Sequence, residues 1–117
     1  MSRVFVVQAP ARREGPRGEW VEKFDLEPAR AFGELVRVLG YGNLPTDLTE
    51  ARRTLTEALG QFDFTSDHLL LLGDPVAIAL SVSVLTALQM VDDIDAPIRV
   101  LKWDRRAGCY ESRSLGG

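Results

Sequence analysis

The chain has 117 residues and a mass of 13.0 kDa, enough for one domain and too little for two. Its 45% hydrophobic and 26% charged residues are the proportions of a globular domain rather than of a disordered chain. With 14 basic and 17 acidic residues the net charge is −3, which argues against a general nucleic-acid coat. One cysteine and one histidine exclude an internal disulfide and a multi-histidine metal site.

In chain order, Val4 to Val7 is a run of β-branched and aromatic residues that predicts a buried strand. The charge and short apolar run at Met1 to Val7 are too short for a signal-peptide core. Residues 10–18 (PARREGPRG) combine prolines, glycines and arginines and predict an exposed loop or hairpin tip. Trp20 to Phe24 alternates as a short strand, and Pro28 suits the first position of a helical turn reaching Phe32. Glu34 to Leu39 (ELVRVL) predicts another strand, closed by Gly40 to Asn43.

Leu48, Ala51, Leu55, Ala58, Leu59 and Phe62 recur at helical spacing, with Asp47 and Glu50 placed as a capping-box-like pair and Gly60 at the stop. His68 to Leu72 (HLLLL) is apolar at consecutive positions after its first residue, as in a strand covered on both faces. Asp74 then caps a helix that has Pro75 at its first position and runs uncharged to about Val91. This stretch does not predict a membrane span. Asp74 and Pro75 split it, and the 16 residues of Val76 to Val91 fall short of the roughly 20 that a spanning helix needs. Ile98 to Trp103 and Cys109 to Arg113 predict two strands around a turn at Arg105 to Gly108, with residues 114–117 frayed.

Strand, helix, strand, helix, strand from residue 34 to 103 calls for parallel pairing through right-handed crossovers. The predicted fold is therefore α/β, a single domain over residues 1–117. It holds a mostly parallel sheet of four to six strands, two main helices and a C-terminal antiparallel hairpin, in a Rossmann-like or flavodoxin-like two- or three-layer sandwich.

Several constellations have residue types that could carry chemistry. The junction at Gly73 and Asp74 lies where open α/β sheets bind ligands, between a strand's carboxyl end and a helix N-terminus. Pro75 removes one backbone amide there and Asp74 adds a negative charge. The dinucleotide G-x-G-x-x-G and Walker patterns are absent, so Asp74 reads first as a structural cap. Its binding alternative is a ribose hydroxyl, a cation or a partner arginine. Asp92, Asp93 and Asp95 oppose the helix macrodipole and precede a strand, which suits a solvated loop or an acidic contact better than metal catalysis. His68 and Cys109 fall on separate predicted strands, and a Cys–His nucleophile needs those strands to meet.

Charge is strongly segregated along the chain. Residues 38–96 carry −7 and residues 97–117 carry +3. The basic end also holds Trp103 and Tyr110 beside Arg105 and Arg106. That composition suits an edge hairpin kept soluble by charge, a protein-interface anchor, or a surface stacking on single-stranded bases.

The segments Arg3 to Gln8 (RVFVVQ), Gly73 to Ile78 (GDPVAI) and Lys102 to Arg105 (KWDR) together resemble small α/β proteins encoded by bacteriophages and prophages. The resemblance implies an accessory protein acting in the cytoplasm of a bacterial host, and it implies no catalytic residue. The sequence thus points to a non-enzymatic protein, without cofactor or metal, that binds and modulates a host or phage protein. Inhibition of a host defence or replication factor is the natural form of such modulation. Trp103, Arg105, Arg106 and Tyr110, with Arg12, Arg13 and Arg17, are its expected contact residues. A nucleotide or other small ligand at Gly73 and Asp74 is the alternative, and single-stranded nucleic acid on the basic hairpin is a second one. The uncharged helix adds a further expectation, a homodimer.

Overall fold

A computed structural model describes residues 2–116. Met1 and Gly117 lie outside the described residues. The opening apolar run forms β1 (Arg3–Gln8), and its alternation splits its side chains between two cores. Phe5 and Val7 enter one core, while Val4 and Val6 enter the other. β1 therefore has to be covered on both faces, and it lies inside the sheet.

The segment read as an exposed loop or hairpin tip is one arm and the turn of a hairpin, β2 (Ala11–Glu14) and β3 (Glu19–Glu22). These strands form a separate two-stranded sheet. A 3-10 helix (Glu27–Phe32) follows, with Pro28 in its first turn as expected. Next come β4 (Glu34–Leu39), helix α1 (Thr49–Leu59) and β5 (His68–Leu70). Helix α2 (Pro75–Val91), β6 (Ile98–Asp104) and β7 (Cys109–Leu115) complete the chain.

The main sheet is mixed, with five strands in the order β4-β1-β5-β6-β7. β1 pairs parallel with β4 and β5, β5 pairs parallel with β6, and β7 returns antiparallel along β6. The layering is that of the two-layer alternative rather than the three-layer one. Both long helices lie together over one face, where Leu55, Leu59, Ala77, Val84 and Leu85 meet Phe5, Leu69 and Val100. Among the described residues the other face carries the 3-10 helix and its flanks, where Leu26 and Ala29 meet Val4, Val6, Leu70, Leu101 and Tyr110.

Three local features differ from the sequence expectation. Asp47 does not cap α1 as the first half of a capping box: Leu48 is the capping residue, and Asp47 accepts from the Thr49 amide and hydroxyl just ahead of the helix. Glu50 instead pairs with Arg53 at 2.7 Å, so the expected reciprocal bond never forms. β5 is three residues long rather than five. Its extension survives as single bonds, with Leu71 N donating to Leu101 O and Gln8 N to Leu72 O. Ser114 and Leu115, expected to fray, pair with Arg99 and Ile98, because β6 is long enough to give them partners.

Candidate functional site

Two clefts open at the carboxyl ends of the parallel strands. The larger has a volume of about 530 Å³ and is lined by Phe24, Asp25, Pro28, Leu72, Trp103, Arg105 and Tyr110. Its origin is the alternation of β6. Leu101 points into the core under the 3-10 helix, so Trp103, two residues on, points to the same face beyond the end of that core. Tyr110 stands opposite Trp103 in the ladder, with the rings edge-on and their centroids 5.0 Å apart.

The turn between β6 and β7 is held by Asp104, whose Oδ1 accepts from the amides of Arg106 at 2.9 Å and Ala107 at 3.3 Å. Asp104 is thereby spent on the backbone. Arg105 and Arg106 enter no ion pair among the described residues. Phe24 is 55% exposed and Trp103 42%, and Tyr110 is a buried floor between them. Burial, and secondarily the Asp25 carboxylate, push the Tyr110 phenol above its ordinary pKa, so it stays a neutral hydrogen-bonding group.

The smaller cleft, of about 340 Å³, is lined by Gln8, Ala9, Pro10, Ala11, Trp20, Lys23, Gly42, Asn43, Gly73 and Asp74. From β1 the chain first steps outward to β4, then crosses back to β5, so this cleft sits where the connections diverge. Ligands of open α/β sheets bind at such a point. The buried Gln8 side chain ties the surrounding loops together. Its Nε2 donates to Gly40 O at 3.1 Å and Gly42 O at 2.8 Å, and its Oε1 accepts from Asp74 N at 3.2 Å. Asp74 caps α2 as expected, accepting from Val76 N at 2.8 Å. The clefts share a wall, since Lys23 and Gly73 line one while their chain neighbours Phe24 and Leu72 line the other.

Trp103, Arg105 and Tyr110 are thus brought together, with Arg106 next in the turn. Arg12, Arg13 and Arg17 belong to the other hairpin and do not line the larger cleft. Arg12 pairs with Glu14 at 2.8 Å. Arg13 lies over the Trp20 ring, 4.3 Å from its centroid, and donates to Gly18 O, so it shapes its own hairpin. Arg17 sits exposed in the turn. That hairpin is fastened to the sheet edge by Glu22, which accepts two bonds from Arg37, at 2.7 and 2.9 Å, and one from Tyr41 at 2.8 Å. The Arg37 hydrogen bond holds the Glu22 carboxyl below its usual range.

Phe24, Asp25, Pro28 and Leu72 escaped sequence reasoning as cleft residues. Phe24 ends an alternating run that continues past its strand, which was the one available signal. His68 and Cys109 do not meet. β6 lies between their strands, with His68 at the amino end of β5 and Cys109 paired with Asp104 at the carboxyl end of β6. Among the described residues no group of three or more His, Cys, Asp or Glu side chains is placed to hold a metal ion. No described helix is long and apolar enough to cross a membrane.

These features define a small α/β domain with a mixed sheet whose carboxyl edge presents an aromatic cleft and two arginine-bearing hairpins. Residues 2–115 match a protein family described as phage Pam3 gp32-like protein. The chain belongs to that family of phage proteins. No curated protein and no solved structure matches it.

Proposed function

We propose that this phage protein is a non-enzymatic accessory factor that binds a host or phage protein in the cytoplasm of the infected cell and modulates it, most naturally as an inhibitor. One observation carries the reading. The Trp103–Tyr110 pair, Phe24 and Leu72 enclose an apolar cleft with Arg105 at its rim and Arg106 beside it. Aromatic side chains that a partner can bury, with arginine beside them, are the composition of binding hot spots. The segment that fits presents a bulky apolar side chain for the cleft and carboxylates for the arginines. The test is capture from infected or host cells with the wild-type chain, Trp103→Ala and Arg105→Glu/Arg106→Glu. A partner held by the first and lost from both variants supports the reading, whereas retention on both variants overturns it.

The smaller cleft supports a second reading, a small polar ligand such as a nucleotide held near Gly73 and Asp74. Its support is position alone: the cleft lies where the sheet connections diverge, with Lys23, Asn43 and Asp74 on its walls. A thermal shift with a nucleotide, lost in Lys23→Ala and Asp74→Asn, supports it. A flat screen across nucleotides and divalent ions removes it. Single-stranded nucleic acid on the β6–β7 hairpin requires affinity that falls steeply with salt.

A further inference from the structure

The end of the sheet opposite the clefts carries a feature of complementary chemistry. Helix α2 contains no charged residue, and its last turn leaves Met90 and Val91 each 80% exposed. Asp92, Asp93 and Asp95 follow immediately, all exposed. The Asp92 amide closes the helix on Leu88 O, and the Ile94 amide returns to Gln89 O, so the bend after the helix is tightly drawn. The result is a projecting apolar pair followed by three carboxylates. None of the three enters an ion pair among the described residues. Their charge lies at the helix end where the macrodipole disfavours it, so a cationic counterpart relieves both the mutual repulsion and the dipole cost.

Arg105 and Arg106 are such a counterpart: Arg105 lines an apolar cleft and Arg106 follows it in the exposed turn. They cannot meet the aspartates within one chain. Asp95 precedes β6 and Arg105 follows it, so the two groups are separated by a seven-residue strand, roughly 20 Å. We propose that the α2 tip of one copy docks in the aromatic cleft of the next, head to tail, with Met90 and Val91 against Phe24, Trp103 and Tyr110 and the aspartates against Arg105 and Arg106. The proposal rests on the reading of that cleft as a docking site and names its occupant as a second copy of this chain. Because the two surfaces differ, the contact is heterologous, and copies add into open chains or a ring rather than a twofold dimer. Asp25, the one acidic residue on the cleft wall, faces Tyr110 and already accepts from Glu27 N at 2.9 Å.

Sedimentation of the purified full chain from micromolar to millimolar concentration tests this. The expected result is a mass that grows beyond 13.0 kDa with concentration and shrinks as salt is raised. A tip variant, Met90→Ser/Val91→Ser, and a cleft variant, Arg105→Glu/Arg106→Glu, alter exposed positions and should each remain monomeric. Mixed in equal amounts they should form a complex of two chains and no larger, since the tip variant keeps an intact cleft and the cleft variant an intact tip. Three results overturn the proposal: a monomer at every concentration, assembly by the cleft variant alone, or no complex on mixing. A monomeric chain leaves the cleft as a site for another protein, whereas only retention of a captured partner by the cleft variants removes that reading.

Discussion

Trp103 and Tyr110 face each other across β6 and β7 with ring centroids 5.0 Å apart and planes at 72°. The exposed member forms one wall of the larger cleft and the buried member its floor, so the hairpin that closes the sheet also builds the site. Trp103→Ala should cost about 1 kcal/mol of stability by removing the edge-to-face pair, and should leave the far-UV spectrum unchanged. Partner affinity should fall at least about tenfold, the loss typical of a hot-spot aromatic. Titration calorimetry with the captured partner measures it, and an unchanged affinity would exclude the cleft.

Gly73 has φ +103, and a Cβ there would stand 2.6 Å from Gln8 Cβ and 2.7 Å from Gln8 O. Backbone strain and a clash with main chain add together, so Gly73→Ala should destabilise by at least about 2 kcal/mol in urea. Gly15, also at positive φ but with nothing within 4 Å, is the control and should lose only the left-handed penalty of about 1 to 2 kcal/mol on Gly15→Ala. Equal losses would show that the Gln8 contact is unimportant.

Asp67 is fully buried and accepts from Arg3 N at 2.8 Å, Arg3 Nη2 at 3.0 Å and Asp63 N at 2.8 Å. It joins the start of β1 to the loop before β5. Asp67→Ala takes the acceptor from the Arg3 and Asp63 amides and leaves the Arg3 guanidinium with Gln61 O alone, and should cost about 3 kcal/mol. Chemical denaturation gives the value, and a loss below about 1 kcal/mol would mean that water replaces the carboxylate.

His68 lies against Phe32, beside Asp67 and Arg99, with its Nδ1 buried and unpartnered. Burial, and then the Arg99 charge, lower its pKa, while Asp67 opposes the shift more weakly. The unfolded chain therefore takes up this proton first as pH falls through about 6.5, and the folded state loses stability until its own lower pKa is passed. Melting temperature should drop between pH 8 and pH 5, and the drop should be smaller in His68→Phe. Equal drops in the two proteins would assign the pH dependence to other groups.

Arg37 and Glu22 join the edge strand to the β2–β3 hairpin, at an exposed site where an ion pair contributes only about 0 to 1 kcal/mol globally. Arg37→Ala should therefore barely move the denaturation midpoint yet release the hairpin locally. Trypsin cleavage at Arg17 should accelerate, as followed by mass spectrometry. An unchanged rate would mean that Trp20 packing near Tyr41 and Gly42 holds the hairpin unaided.

Much of the fold was legible because its signals are local. Asp74 and Pro75 announce the start of α2 through a cap bond two residues away, and Gly73 supplies a backbone conformation that other residues resist. The run Val4 to Val7 reads as doubly covered because adjacent positions are both apolar. Asp47 and Glu50 misled for the same reason, since spacing alone cannot show that Glu50 turns to Arg53 instead of back to the cap. Of the site, Trp103, Arg105, Arg106 and Tyr110 were legible as composition, and their partners were not.

The sequence by itself determined the order of the main-sheet strands and the two long helices along the chain, the Asp74 cap of α2, the two-faced burial of β1 and the separation of acidic from basic charge. Each follows from interactions within a few residues or from periodicity. Tertiary structure alone decided that β1 lies between β4 and β5, that both long helices share one face, and that Phe24 and Leu72 join Trp103 and Tyr110 around one cleft. Those residues are far apart in the chain, and the pairing of strands that joins them uses backbone groups that every residue carries alike. Only the burial of the whole sheet selects one order, and with it the place where aromatic rings and arginines meet.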